Sequence, residues 1–483
     1  MLHMRCLSPV VASVAVLLAG CAAGPDYVRP ALSLPAGYTA APVAPAQALD
    51  PALDIPAQWW GAFHSSPLNA WVDASIAHNP NVAAAQAALR AAAESAQAER
   101  AAFWPSVGLG FTPTRQHVAS TLSSPVASNA LVYNLHTAQV TVSYAPDVFG
   151  GTRRTVEAAD AQAEQQRFQL EATYLTLSAN VVTAAINEAA LRAQRAATLV
   201  IIEQQRAVLQ GYRRQQALGQ LALADVDAQE AALATTEATL PPLDKQLAQQ
   251  RNQLATLAGR YPSDDMPVRF ELDALQLPAT LPLSLPSTLV EHRPDVRAAE
   301  AQMKAASASI GVAVAARLPN VQLGVNAYGS TAYALSQLFT SSSMFWTLAA
   351  SVTQPLFDGG ALKHREAAAR ANFDQAAAQY RATVLAAFQD VANALEAIDA
   401  DTRALRAATD AERANARSLA RARAQLQLGD TSALAVRQAE LAWQQSLLAL
   451  APARAAQLTD TAALFQALGG GWWNRLEAVA ASH

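Results

Sequence analysis

The chain has 483 residues, 52% of them apolar but only 6% aromatic, and a formal net charge of −4. An alanine-rich, aromatic-poor composition argues for close-packed helices. The small net charge, without a long run of Lys or Arg, excludes a nucleic-acid-binding surface and an acidic tail.

The first residues carry a basic Arg5, an apolar run from Val10 to Leu18 and then Leu18-Ala19-Gly20-Cys21. That run is too short to stay in a bilayer, so residues 1–20 read as a cleaved signal, either of the lipoprotein type with lipid on Cys21 or an ordinary one with a coincidental cysteine. The lipoprotein reading is preferred. Cleavage then removes Cys6 and leaves a single cysteine, so no intrachain disulfide can form. In lipoprotein sorting an Asp after the cysteine commonly means retention at the inner membrane; Ala22 stands there, which points to the outer membrane. Between residues 21 and 58, Pro25, Pro30, Pro35, Pro42, Pro45, Pro51 and Pro56 forbid helix. An extended arm along the folded body and a disordered tether both fit.

Residues 59–260 and 287–470 read as two copies of one unit. Pro80 and Pro105 recur as Pro294 and Pro319, Pro146 and Gly151 as Pro355 and Gly360, and Gly219, Pro242 and Gly259 as Gly429, Pro452 and Gly469. Gly and Pro set turns, kinks and helix ends, so matched punctuation means one fold repeated. Each copy opens with a helix whose first turn holds Pro80 or Pro294, and which ends near Pro105 or Pro319. Period-two segments follow. Val107, Leu109 and Phe111 alternate with Gly108, Gly110 and Thr112, and Ala138, Val140, Val142 and Tyr144 with Gln139, Thr141 and Ser143. The second copy supplies Val321, Leu323, Val325 and Ala327, then Trp346, Leu348, Ala350 and Val352. No Asp, Glu, Lys or Arg occurs from Leu318 to Phe357. Lipid suits one face of these strands and water the other, but a membrane sheet must close into a barrel and known single-chain barrels have at least about eight strands. One chain offers four, so closure needs several chains. A small soluble sheet packed on the helices is the alternative.

After Gly151 and Gly360 come helical stretches to about Leu218 and Leu428, each roughly 100 Å long at 1.5 Å per residue. Ala377, Val384, Val391, Ile398 and Leu405 recur every seven residues and, after Glu412, Leu419 and Leu426 resume the series, which is the seam of a coiled coil. Each long helix turns at Leu218-Gly219-Gln220 or Leu428-Gly429-Asp430 and returns as a shorter helix broken at Pro241-Pro242 or Pro452, giving two helical hairpins. Residues 261–286 read as a Pro-rich linker, and 471–483 as a tail in which Trp472 and Trp473 pack locally. No HExxH, Walker, GxSxG or CxxC pattern occurs. His292 beside Asp295 is the nearest approach to a catalytic pair, at a helix start where Asp caps. No enzymatic role, metal site or cofactor is expected beyond the covalent lipid on Cys21.

Leu18-Ala19-Gly20-Cys21 with Gly24-Pro25-Asp26-Tyr27, Trp59-Trp60 leading to Asn79-Pro80, Leu285-Pro286-Ser287 leading to Arg293-Pro294-Asp295-Val296, and Gln354-Pro355-Leu356-Phe357-Asp358-Gly359-Gly360 together resemble the outer-membrane efflux factors, in their TolC-like, NodT-type lipoprotein branch. The resemblance spans nearly the whole chain. It implies a mainly α fold with membrane β, duplicated, in which four strands per chain join a homotrimeric twelve-stranded outer-membrane barrel continued by a twelve-helix periplasmic tunnel. It further implies a passive duct for small toxic compounds, working with a periplasmic membrane-fusion adaptor and an inner-membrane RND transporter, in contact with outer-membrane lipid. The adaptor-facing tips would be Leu218, Gly219, Gln220, Leu428, Gly429 and Asp430. Tunnels of the family are pinched just beyond the tips by polar and acidic residues. Asp225 matches one such position, whereas Ala435, Gln438 and Leu426 depart from the pattern. The usual acidic gate is thus partly missing, and the expectation is a different ion network in which Asp225, with Asp430 and Arg437, holds the closed end. A duct for protein or peptide secretion and a non-conducting envelope scaffold are the competing readings.

Overall fold

The computed structural model describes residues 23–31, 33, 35–40, 43, 47–122, 129–264 and 267–475. The signal segment and Cys21 lie outside the described residues.

In the first copy, β1 (Ala48–Asp50) precedes α1 (Ser66–His78) and α2 (Pro80–Arg100), followed by β2 (Ser106–His117), β3 (Val132–Tyr144) and the 67-residue α3 (Gly151–Ala217). The chain returns as α4 (Leu223–Glu237) and α5 (Leu240–Leu257). After β4 (Thr280–Pro282), the second copy runs α6 (Pro286–His292), α7 (Pro294–Ala315), β5 (Asn320–Ala332), β6 (Met344–Thr353), the 68-residue α8 (Ala361–Leu428) and α9 (Ala433–Ala467). Two compact units form, and each draws on both copies.

The first unit takes the residues up to Pro30, Leu89–Gln165 and Ala299–Tyr380, and holds an antiparallel sheet in the order β2-β3-β5-β6. Register between β2 and β3 is unbroken from Ser106↔Ser143 to His117↔Val132. In β5 it slips by one residue, so that Tyr328 rather than Ala327 continues the apolar row opposite Val140. The alternation expected through Ala327 therefore stops there, because a β-bulge inserts an extra residue. Helix starts are capped by aspartates: Asp147 accepts from the N–H groups of Thr152 and Arg153, and Asp358 from those of Gly360 and Leu362. These backbone donors hold the Asp358 carboxyl below the usual range. The arm is fixed here too: Ala23 N–H donates to the Phe149 carbonyl at 2.9 Å, and buried Arg154 bonds the Ala23 carbonyl, Asp26 and Glu157.

The second unit holds Ala31–Ala88, Gln166–Ala298 and the chain from Arg381 onward. Its core centres on Trp59, 1% exposed and stacked on Phe465 at 5.5 Å, with Phe63, Leu68 and Leu458 fully buried. Along α8 the heptad positions Val384, Val391, Ile398 and Leu419 are buried, while Leu426 near the turn is exposed. Four glycines at the repeat spacing end helices in the same way. Gly219, Gly259, Gly429 and Gly469 all have positive φ, and the next residue donates to the carbonyl five before it, as in Gln220 to Gln215 and Asp430 to Gln425. These are Schellman ends, which explains the shared punctuation.

Three expectations need correction in this unit. Pro452 does not break its helix: α9 runs through it, because Ala451, Ala455 and Leu458 are buried around it and one lost N–H is tolerated. The consecutive Pro241-Pro242 do mark a break, standing in the first turn of α5. The stretch 261–286 is more than a connector: β4 pairs in parallel with β1, and Phe270, Leu272, Leu275 and Leu281 are buried, so its apolar residues have a core to join. Lastly, Trp472 and Trp473 do not pack only locally. Consecutive left-handed Gly469, Gly470 and Gly471 fold the tail back, the Trp472 indole N–H donates to the His292 carbonyl at 2.5 Å, and Trp473 stacks on the His292 ring at 4.0 Å.

Candidate functional site

Two regions carry surface that the fold leaves uncovered, one in each unit. In the first unit the sheet is amphipathic in register. Val107, Val142, Val325 and Leu348 lie opposite one another across all four strands, while the adjacent row on the other face reads Gly108, Thr141, Asn326 and Thr347. Strict alternation of apolar and polar residues produces this separation. The apolar side is unusually open: Leu109 is 84% exposed and Leu348 69%. Strands of 12, 13, 13 and 10 residues each reach the roughly 9–11 residues that a tilted membrane strand requires. Among the described residues the outer edges of β2 and β6 have no strand partner. On the polar side Gly329 is overlaid by the Phe345 ring of its paired residue, an aromatic covering a residue without a side chain.

In the second unit the two hairpin ends are alike. Leu218 and Leu428 are 73% and 77% exposed, and Gly219 and Gly429 turn the chain with φ of +72° and +76° and open space around them. Returning helix α9 is capped by Ser432, whose hydroxyl accepts from Ala435 N–H at 3.2 Å. Its counterpart before α4 is Ala222, which offers no side-chain cap, and Asp225 instead places a negative charge in the first turn, where the helix dipole favours it.

The gate residues inferred from the resemblance are not joined to one another within one chain. Asp225 and Asp430 are exposed. Arg437 donates to the Gln204 side-chain oxygen of α3 at 3.3 Å, so it links the second hairpin to the first rather than to either aspartate. The expected neighbours His292 and Asp295 are also not a pair: Asp295 accepts from Arg293 through both oxygens, and burial lowers the His292 pKa.

The sequence reading missed an ion pair that occurs in both copies. Arg213 of α3 pairs with Glu230 of α4 at 3.3 Å, and Arg423 of α8 with Glu440 of α9, 210 residues further on. In each case the arginine stands six residues before the tip glycine and the glutamate eleven after it. That spacing is visible in the sequence once charged residues, and not only Gly and Pro, are compared at the repeat offset. Below it, Arg206 bridges Glu203 and Glu237 in the first hairpin, whereas in the second Glu412 accepts the Trp443 indole N–H at 2.8 Å.

Comparison with known proteins gives one consistent result. The family model described as outer membrane efflux protein matches residues 71–260 and 285–470. The toluene efflux pump outer membrane protein TtgC of Pseudomonas putida is 30% identical over 472 residues, covering 96% of either chain. The outer membrane protein OprJ of Pseudomonas aeruginosa is 29% identical over 469 residues, covering 95% of each. Among solved structures, the outer-membrane channel OprN superposes with a TM-score of 0.82 at 27% identity, over 94% of this chain and 100% of that one. The open state of the MtrE outer membrane channel of Neisseria gonorrhoeae gives 0.78 at 25% identity, over 94% and 99%.

Proposed function

The chain belongs to the outer membrane efflux protein family, as the outer-membrane channel component of an efflux pump, and from that premise we propose how one chain builds its share of the duct. Three copies close a twelve-stranded barrel by pairing β2 of one chain with β6 of the next. The observation that carries this is the four-stranded amphipathic sheet with two free edges: exposed edge groups are untenable in lipid, and a closed ring of such sheets satisfies them all. The apolar row of Val107, Val142, Val325 and Leu348 then meets lipid, and the row of Gly108, Thr141, Asn326 and Thr347 lines water.

The hairpins form the periplasmic tunnel. Exposed Leu218 and Leu428, held out by their glycine turns, suit contact with a periplasmic adaptor, which couples the duct to an inner-membrane RND transporter. Lipid on Cys21 anchors the arm. The duct is passive, since the transporter supplies the energy, and its cargo is small toxic compounds; the pump components among its relatives favour this over protein secretion. Closure at the tips involves Asp225 and Arg437, the latter through its bond to Gln204, which ties one hairpin to the other.

Reconstitution of the purified mature lipoprotein in planar bilayers tests the reading. Stable pores from a trimeric species are expected, and single-channel conductance of Asp225→Ala and Arg437→Ala should exceed wild type. A non-conducting monomer would overturn the duct. Pores whose conductance neither substitution changes would overturn the gate alone.

A further inference from the structure

We propose that Asp401 and Asp460 form a proton-sensitive latch between α8 and α9, tightening the second hairpin in acid and slackening it at neutral pH. The inference lies outside the tip gate: Asp401 stands 28 residues before Gly429, about 42 Å along the helix.

The two carboxyls stand on the outgoing and returning helices within reach of one another, close enough for a hydrogen bond once either is protonated. Next to them Gln457 of α9 donates to the Thr402 hydroxyl of α8 at 3.2 Å, so the helices are in side-chain contact at this level. The Oδ2 atom of Asp401 is sealed from water and finds no N–H or hydroxyl donor. Two ionised carboxylates are acceptors only, so a bond between them requires a proton on one. Removal of that proton leaves two like charges between the helices and a buried oxygen without a partner.

The surroundings do not supply a counter-ion. Asp460 lines a cavity of about 380 Å³ with Arg293, Asp390, Asn393 and Gln466, and Ala394, Ala397, Ala463 and Ala467 make the room. Arg293 is saturated: its guanidinium bonds Asp295, Asp390 and the carbonyls of Ala387 and Ala467. Arg403 pairs with Asp399 on α8 at 3.2 Å, and Arg454 of α9 with Asp273 at 2.5 Å. The cavity does provide a route for proton exchange. Burial, with Asp401 beside it, pushes Asp460 up to about 6 from an ordinary value of 3.8. Because the folded value lies above the unfolded one, the folded hairpin holds its proton where the unfolded chain has lost it. The latch is therefore fully closed below about pH 4 and lost as pH rises through about 6.

The duplication supplies an internal control. At the repeat offset the first hairpin has Leu191 and Gln250 in place of the two aspartates, so it carries no such pair. The test is amide hydrogen exchange of the intact trimer at pH 5 and 7.5, corrected for intrinsic exchange rates. Protection around residues 396–406 and 455–465 should fall by about tenfold at the higher pH, because pH 5 lies about one unit below the folded value of about 6 and already above the unfolded 3.8. The equivalent segments of the first hairpin should not respond. Asp460→Asn and Asp401→Asn should each hold the second hairpin at its acid level of protection at both pH values. A protonated-carboxyl infrared band, present in wild type at pH 5, should be missing from both variants. Overturning results are wild-type protection that ignores pH, or asparagine variants that keep the dependence. Protection at pH 7.5 that is restored by millimolar Mg²⁺ and abolished by chelator would also overturn it, since a cation and not a proton would then hold the pair.

Discussion

Glu412 is the residue that interrupts the seven-residue apolar series of α8, and replacing it with leucine is expected to weaken the second hairpin although it would perfect the heptad. The reason is across the hairpin, where the Trp443 indole N–H donates to Glu412 Oε1 at 2.8 Å. A hydrogen bond to a charged acceptor contributes about 1.5–3 kcal/mol net, and its loss leaves a half-buried donor unpaired. Leucine at a half-buried site gains only part of the 1.5–3 kcal/mol of full burial, about 1 kcal/mol. The balance is a loss of about 1 kcal/mol, which corresponds to roughly fivefold faster local opening. Hydrogen exchange over residues 408–416 and 439–447 of the detergent-solubilised trimer reads this directly. Trp443→Phe removes the donor, so in that background Glu412→Leu should become neutral or protective, and the two substitutions should be non-additive. Greater protection from Glu412→Leu with Trp443 intact would refute the reasoning, because the heptad would then outweigh the hydrogen bond.

The tips and the sheet yield two further predictions. Gly219→Ala and Gly429→Ala meet open space but must hold φ above +70°, so each should cost about 1–2 kcal/mol and speed exchange in the last helical turn by about tenfold, equally in both hairpins. A clear inequality between the two would mean that the ends are not equivalent. Gly329→Ala puts a methyl group against the Phe345 ring, at 2.5 Å from its nearest carbon, so the yield of heat-resistant oligomer on gels should fall. Phe345→Ala in the same chain should recover it, and failure to recover would place the fault elsewhere in β5.

Much of the fold was legible because its signals are local. The proline starts of α2 and α7, the Schellman glycines and the alternating strands are each set within a few residues, and the structure has them where the punctuation implied. What escaped depends on distant partners. Whether Pro452 breaks a helix depends on the packing of Ala451 and Ala455, and whether Trp473 packs locally depends on His292, 181 residues away. The bulge in β5 is invisible to alternation, since Ala327 fits the pattern and only pairing to β3 and β6 shows that Tyr328 takes its place. At the candidate site, the tip leucines and glycines could be read from the turn alone, but the bond of Arg437 to Gln204 joins residues 233 apart.

The two copies also differ in a way that separates backbone constraint from side-chain context. Glu188 is fully buried, held by Arg192 and Arg251, and accepts the Phe270 N–H at 3.3 Å. At the repeat offset these positions become Ile398, Thr402 and Thr461, with Ile398 and Thr461 fully buried and without charge. Phe270 belongs to the stretch between the copies, and its buried N–H needs an acceptor. Glu188 supplies one, and the two arginines balance a charge that burial would otherwise make costly. Ile398 has no such donor to satisfy, so an apolar residue is the better occupant. Gly219 and Gly429, by contrast, and the ion pairs Arg213–Glu230 and Arg423–Glu440 beside them, recur because each hairpin must turn and close in the same geometry whatever surrounds it. The duplication thus preserves what the hairpin needs internally and diverges where the neighbours differ.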